Sequence, residues 1–214
     1  MLKIKTLVVG TMSTNCYIIT DEQSGESAVI DPGESSRGLD LALSEIPDDK
    51  LCYILLTHGH FDHIKNAADI KEKFPAAYIA VGEREKDFIS DGSLNLSMMM
   101  GVKIKPFKTE LLLREGDTIN LGSTVIEVLN LPGHTKGGVG YLAEGRLFCG
   151  DTLFKGSMGR TDFETGDEDE LMNSLKKLSQ LPEDTQVYPG HGPMTTIEEE
   201  KHKNLYMKRA VKYY

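Results

Sequence analysis

The sequence predicts a single layered α/β domain, and three observations carry that prediction. Short apolar runs recur along the whole chain, separated by turns rich in Gly, Pro and Asp. Segments with helical spacing are interspersed among these runs in both halves rather than collected at one end. No linker, low-complexity stretch or repeat of roughly 20 to 50 residues breaks the pattern. At 214 residues the chain is long enough to bury a substantial core as one unit, residues 1–214.

Taken in order, residues 3–9 alternate loosely as a first strand, and residues 16–20 and 28–31 continue a meander around the polar turn at 21–25. Residues 35–46 read as an amphipathic helix with Leu39, Leu43 and Ile46 inward, closed by Pro47. The almost unbroken apolar run 51–56 suits a buried strand, and 64–70 follows with helix-compatible spacing. A strand at 76–81 and a short charged helix at 83–89 come next.

Residues 91–103 hold Leu94, Leu96 and Met98 to Met100 among Gly, Asn and Ser. These apolar residues either plug a satellite core or form an adaptable flap, because methionine moulds to irregular ligands. Residues 111–121 and 123–129 are expected to pair as a hairpin around Gly122, and 139–143 with 146–149 around Glu144-Gly145. A helix is expected over 168–178, with Leu171, Leu175 and Leu178 on one face. A last short strand is expected at 187–188, and residues 195–214 read as a charged helical tail packed on the domain.

The net charge of −9 argues against a sequence-independent grip on nucleic acid, which needs a basic footprint. No apolar run approaches the roughly 18 to 20 residues that cross a bilayer, so no membrane association is expected. Cys16, Cys52 and Cys149 have no metal-type spacing. Cys52 and Cys149 fall inside apolar strands as small buried hydrophobes, and together these features predict a reducing, cytoplasmic setting.

The densest chemistry lies in Thr57-His58-Gly59-His60-Phe61-Asp62-His63, on a strand-to-helix turn. His58 and His60, two apart in extended backbone, point to the same side. Asp62 and His63 come where the chain turns into the helix and aim elsewhere, toward a second ion. His134 and His191 each follow a Pro-Gly turn after a strand candidate, and Asp151 follows the apolar run 147–150. Five of the six histidines therefore stand at strand exits, with only His202 on the charged tail. Histidine and aspartate delivered from one edge of a scaffold are ligands for a borderline-soft divalent metal.

This ordered set resembles the metallo-β-lactamase fold superfamily. It comprises His-x-His-x-Asp-His, Pro-Gly-His134-Thr135, Gly150-Asp151-Thr152, Pro-Gly-His191-Gly192 and an early Asp31-Pro32-Gly33 turn. Within that superfamily the chain is most similar to short bacterial members of the glyoxalase II group. The resemblance implies a four-layer αββα sandwich. It also implies one metal held by His58, His60 and His134, a second by Asp62, His63 and His191, and Asp151 bridging the two. The ions would be zinc first, with iron or manganese as alternatives. A shared water on two such ions falls from a pKa of 15.7 to about 7, giving hydroxide at neutral pH. Asp62 and Asp151 are then the catalytic carboxylates.

With five histidines committed, no general acid is left over. A thiolate leaving group, with a pKa of about 8.5, departs without one. A thioester such as S-acylglutathione is therefore the implied small-molecule substrate, with the protein a monomer or homodimer. Glyoxalase II enzymes carry a lysine nine residues beyond the bridging Asp and a tyrosine two further on; here Arg160 and Asp162 stand there. Arg160 either clamps a substrate carboxylate or pairs with Asp162 to brace the loop. Those enzymes also have a C-terminal helical domain that adds glutathione contacts. With 23 residues after His191, that domain is expected to be missing, which weakens the case for glutathione itself. A persulfide dioxygenase of the same fold is the rival, with one Fe(II) on His58, His134 and Asp151 and a similar loop at Gly159 to Asp162.

Overall fold

A computed structural model describes residues 1–214. The first sheet contains β1 (Leu2–Val9), β2 (Thr14–Asp21), β3 (Ser27–Ile30), β4 (Leu51–Leu55), β5 (Tyr78–Gly82) and β6 (Leu111–Leu113), side by side in that order. β1, β2 and β3 pair antiparallel, and β3 to β6 run parallel. The second sheet is built from β7 (Thr118–Leu121), β8 (Thr124–Asn130), β9 (Val139–Ala143), β10 (Arg146–Gly150), β13 (Gln186–Pro189) and β14 (Thr195–Thr196). Between β10 and β13 the chain forms a small hairpin of β11 (Leu153–Phe154) and β12 (Ser157–Met158). The helices are α1 (Arg37–Ser44), α2 (Phe61–Ile64), α3 (Ala67–Lys73), α4 (Glu168–Leu178), α5 (Ile197–Lys203) and α6 (Leu205–Tyr213).

Three apolar interfaces separate four layers. Strand alternation sends Val29 of β3 outward to Leu39, Ala42 and Leu43 of α1 and Ile70 of α3. Its neighbours Ala28 and Ile30 face inward, with Tyr17, Ile19 and Leu55, toward Ile126, Val128, Tyr141 and Phe148 of the second sheet. On the far side, Leu147, Cys149 and Val187 meet Met172, Leu175 and Leu178 of α4 and Met207 and Ala210 of α6. Each fully buried Leu or Ile is worth about 1.5–3 kcal/mol, so every layer is held by several such side chains. The fold is a four-layer αββα sandwich.

Local chemistry fixes the helix ends. The Ser36 hydroxyl accepts from Leu39 N at 3.1 Å to start α1. Asp167 caps α4 through Glu170 N at 2.8 Å, and Glu168 to Glu170 in its first turn with Lys176 and Lys177 in its last suit the helix dipole. Asn204, in extended backbone, separates α5 from α6 and caps the latter through Tyr206 N and Met207 N. No helix is long and apolar enough to cross a membrane.

The structure corrects several expectations. Residues 111–121 are not one strand: β6 pairs with β5 in the first sheet, while β7 pairs with β8 in the second. The switch is the turn at 114–117, where Asp117 Oδ2 accepts from Arg114 N at 2.8 Å and carries the chain across. Segment 83–89 is one 3₁₀ turn, Glu83–Glu85, followed by turns, because its middle acid, Glu85, is buried and so cannot serve a solvated helical face. Met98, Met99 and Met100 are 70%, 65% and 47% exposed, so they plug no satellite core. Ile104 and Phe107 are the residues of that region that pack on the outer core. Cys52 is half-buried, at an irregularity where β3 and β4 shift register, whereas Cys149 is buried.

Candidate metal centre

The site lies where β4, β8, β10 and β13 run out. After β4 the chain bends at Thr57 and His58 and delivers His58 and His60, the latter in extended backbone, before α2 begins at Phe61 and brings Asp62 and His63 round its first turn. The 131–138 loop brings His134, the residue after β10 is Asp151, and His191 follows β13. His191 is further tied to the start of β2 by a bridge to Thr14.

All seven side chains converge. His58, His60 and His134 form one group with ligand atoms within 4.8 Å of one another; Asp62, His63 and His191 form another; and His58, His63 and Asp151 form a third. His134 Nε2 lies 3.0 Å from His60 Nδ1 and 3.6 Å from Asp151 Oδ2. His191 Nε2 lies 3.3 Å from Asp62 Oδ2 and 3.5 Å from Asp151 Oδ2. His63 Nε2 lies 3.5 Å from Asp151 Oδ1 and 3.6 Å from Asp62 Oδ2. Asp151 thus stands between the two outer groups, with Oδ2 near both His134 and His191 and Oδ1 near His63.

These residues fit divalent ions. A tetrahedral ion with ligand distances of about 2.0–2.1 Å spaces its donor atoms roughly 3.3 Å apart, which matches this set. His58 Nε2, His63 Nε2 and Asp151 Oδ1 are buried without a hydrogen-bond partner, an arrangement that folded proteins otherwise avoid. The Nε2 atom of His60 is also buried and unpartnered, while its Nδ1 faces His134. The outer nitrogens are meanwhile engaged. His58 Nδ1 meets Thr57 Oγ1 at 3.1 Å, His63 Nδ1 donates to Asp31 Oδ2 at 2.9 Å, and His134 Nδ1 donates to the Arg160 carbonyl at 2.8 Å. Each bond leaves the Nε2 lone pair free for the centre.

The two outer groups differ electrically. Burial, then the neighbouring imidazoles, drives His58 well below the usual histidine range, and burial and His134 push His60 down to about 3. Burial also disfavours charged His63, but Asp62, Asp151 and Asp31 outweigh it and raise it to about 9. For His191, Asp151 and Asp62 overcome burial and raise it to about 10. Burial favours protonated Asp62 and Asp151, yet His63 and His191 hold both carboxyls below the usual range.

Several supporting residues carry no sequence signal beyond an ordinary strand pattern. Thr14 Oγ1 donates to Asp62 Oδ2 at 2.9 Å. Asn15 Nδ2 donates to the carbonyls of Pro189 at 2.9 Å and Gly192 at 2.8 Å, and Tyr17 OH donates to Pro189 at 2.6 Å. These three side chains hold the His191 loop and Asp62 from β2. Asp31, legible only as part of a turn motif, accepts from Thr57 N at 2.7 Å and Thr57 Oγ1 at 2.6 Å besides orienting His63.

The Arg160 side chain is not in the cluster. Its guanidinium makes two 2.6 Å hydrogen bonds to Asp162 and lies 3.8 Å over the Phe163 ring, so it braces the loop. The Phe163 ring in turn stands edge-on to His60 at 5.8 Å, and Phe154 stands 6.2 Å from His191.

The family model described as metallo-beta-lactamase superfamily matches residues 9–191, a span that contains all seven clustered residues. The chain belongs to this superfamily. Hydroxyacylglutathione hydrolase GloC of Haemophilus influenzae is 34% identical over 96% of this chain and 98% of its own. The crystal structure of BLEG-1, a B3 metallo-β-lactamase, matches with a TM-score of 0.87 at 34% identity, covering 96% of this chain and 99% of the other. That of TTHA1623 in a di-iron-bound form matches with a TM-score of 0.81 at 32% identity, covering 94% and 99%. The metallo-β-lactamase fold and its clustered His and Asp side chains imply divalent-metal binding.

Proposed function

We propose that this metallo-β-lactamase superfamily chain is a dinuclear metallohydrolase acting on a thioester, with S-acylglutathione the first candidate. The observation that carries the reading is Asp151, which lies within 3.6 Å of His134 on one side and within 3.5 Å of His63 and His191 on the other. In this reading His58, His60 and His134 hold one ion, and Asp62, His63 and His191 the other, with Asp151 shared. Zinc fits the donor set best, and iron and manganese also accept it. Bound ions would supply a hydroxide nucleophile at neutral pH and polarise the substrate carbonyl.

The protein's own part is orientation and charge. Asp62, its carboxyl held below the usual range and anchored by Thr14 and His191, would accept a hydrogen bond from the attacking water. The buried imidazoles of His58 and His60 stay neutral and therefore available as ligands. The nearby cations are already paired, Arg160 with Asp162, Lys65 with Glu34 and Lys155 with Glu199. With these cations paired and five histidines in the cluster, a leaving group that departs without protonation is favoured, a thiolate over an amine. The GloC relative supports a glutathione thioester as the first substrate to try.

The test is a paired assay on metal-loaded protein: loss of thioester absorbance with S-lactoylglutathione, against oxygen uptake with glutathione persulfide. The expected result is thioester hydrolysis that disappears on chelation and in His60→Ala. Oxygen uptake without thioester loss would instead establish the mononuclear dioxygenase, with His58, His134 and Asp151 on a single iron.

A further inference from the structure

The 3₁₀ turn Glu83–Glu85 lies beside the metal centre, and its last residue is fully buried. Glu85 Oε2 accepts from Gly59 N at 2.8 Å, and Glu85 Oε1 accepts from Gly137 N at 2.8 Å. Gly59 sits between His58 and His60, and Gly137 lies three residues beyond His134. One carboxylate therefore joins the two loops that carry the whole first ligand group, one oxygen to each. No ion pair reaches it, so the Gly59 and Gly137 amides, with the Thr135 hydroxyl nearby, are what satisfy the buried carboxyl.

The packing around this bridge is equally close. A Cβ at Gly59 would come within 2.3 Å of Phe88 Cβ, and one at Gly137 within 2.7 Å of the Arg84 backbone. Both glycines are thus needed to let the loops reach the turn. The same turn extends to α2, since Asn95 Nδ2 donates to the Phe88 carbonyl at 2.7 Å while Phe61 N donates to the Asn95 carbonyl at 2.9 Å. Glu85 is the point at which the His58–His60 loop and the His134 loop are held at a fixed separation.

We infer that Glu85 is a positioning residue for the first ion, a buried two-oxygen tie that sets the spacing of His58, His60 and His134 without touching metal or substrate. The inference rests on the metal-centre reading above. Glutamine is the informative replacement because it has the same shape but only one accepting oxygen. Its NH2 would face one of the two amide N–H groups, donor against donor, and release one loop.

The test measures zinc affinity by competition with a chelator, in a His191→Ala background so that the first equivalent reads the first ligand group. Apo-protein melting is followed in parallel. Glu85→Gln should weaken that equivalent by roughly 10–100-fold, the usual cost of losing an outer hydrogen-bond partner of a metal ligand. Glu85→Asp, which keeps both oxygens, should bind more tightly than Glu85→Gln. Unchanged affinity in Glu85→Gln overturns the inference, as does a lowered melting temperature with no change in affinity, or Asp no better than Gln. If neither variant folds, hydrogen exchange on the wild-type apo protein decides: the Gly59 and Gly137 amides should be protected, and surface-like exchange at both would refute the tie. A wild-type chain that binds no zinc sinks the metal-centre reading and this inference together, whereas wild-type binding with an unaffected variant removes only the inference.

Discussion

The two halves of the metal centre are built from the same ligand chemistry but have opposite electrical characters. The His58, His60 and His134 half is three imidazoles, with His58 and His60 held neutral by burial and by the surrounding imidazoles. The Asp62, His63 and His191 half has two imidazoles among three carboxylates, Asp31, Asp62 and Asp151, and its histidines are raised to about 9 and 10. His58 and His60 thus favour the neutral, ligand-competent form, whereas His63 and His191 favour the protonated one that a bound ion would have to displace. The supports differ in the same way. Asp31 orients an imidazole of the second half directly, whereas Glu85 reaches the first only through backbone amides.

The largest expected effect is loss of activity. Chelation, or His60→Ala, should lower thioester hydrolysis by more than the roughly 10–100-fold typical of an outer partner, because a ligand itself is lost. Full activity in the stripped protein would break the comparison at its root. Next, Asp31→Asn should lower zinc affinity at the second half by about 10–100-fold while leaving the first unchanged, read from a two-step competition titration. Equal weakening of both steps would mean that Asp31 supports the β4 exit through Thr57 rather than His63.

A subtler effect is proton release. Calorimetric titrations at neutral pH, in two buffers of different ionisation enthalpy, should show the second half releasing protons on metal binding, while His58 and His60 release almost none. Second-half affinity should therefore climb as pH rises toward about 9–10. Apo stability follows the same division. The raised His63 and His191 contribute stability that is fully present below about pH 6.5 and lost as pH rises through about 9 and 10. The lowered His60 acts oppositely, removing stability as pH falls from about 6.5 toward about 3. A urea midpoint that falls on both sides of about pH 6.5 is the expected readout, and a monotonic profile would contradict it.

The smallest effects lie at the rim. Arg160 and Asp162 are 56% and 67% exposed in their side chains, so their pair is solvent-screened and contributes little to stability. Arg160→Ala should leave KM within about threefold, unless the substrate displaces Asp162; a tenfold rise would establish the carboxylate clamp. Met99→Ala should leave stability unchanged, since the side chain is exposed, and any shift in KM would place the 91–103 segment over the substrate.

The clustered side chains were legible because chemistry and position coincided: His58, His60, Asp62, His63, His134, Asp151 and His191 each follow a strand exit in the sequence. The sheets were legible where strands are buried on both faces, as in 51–56, and misread where two strands abut without a strong break. Residues 111–121 looked like a single strand because the 114–117 turn contains only one glycine and no proline. Supports such as Asn15, Tyr17 and Glu85 were silent because their partners are backbone groups far away in sequence, which no local pattern encodes. Glu85 in particular looked like one more charge on a solvated helix. The sequence left Met98 to Met100 open between core and flap because hydrophobicity alone does not say which face an irregular segment turns to water, and their exposure removes the core reading.

The most direct measurement is an anomalous difference map from zinc-loaded crystals. Two peaks are predicted, one about 2.0–2.1 Å from nitrogens of His58, His60 and His134 and one equally close to His63 and His191, with Asp151 touching both. A single peak on His58, His134 and Asp151, or none at the cluster, would contradict the dinuclear centre on which the proposed function stands.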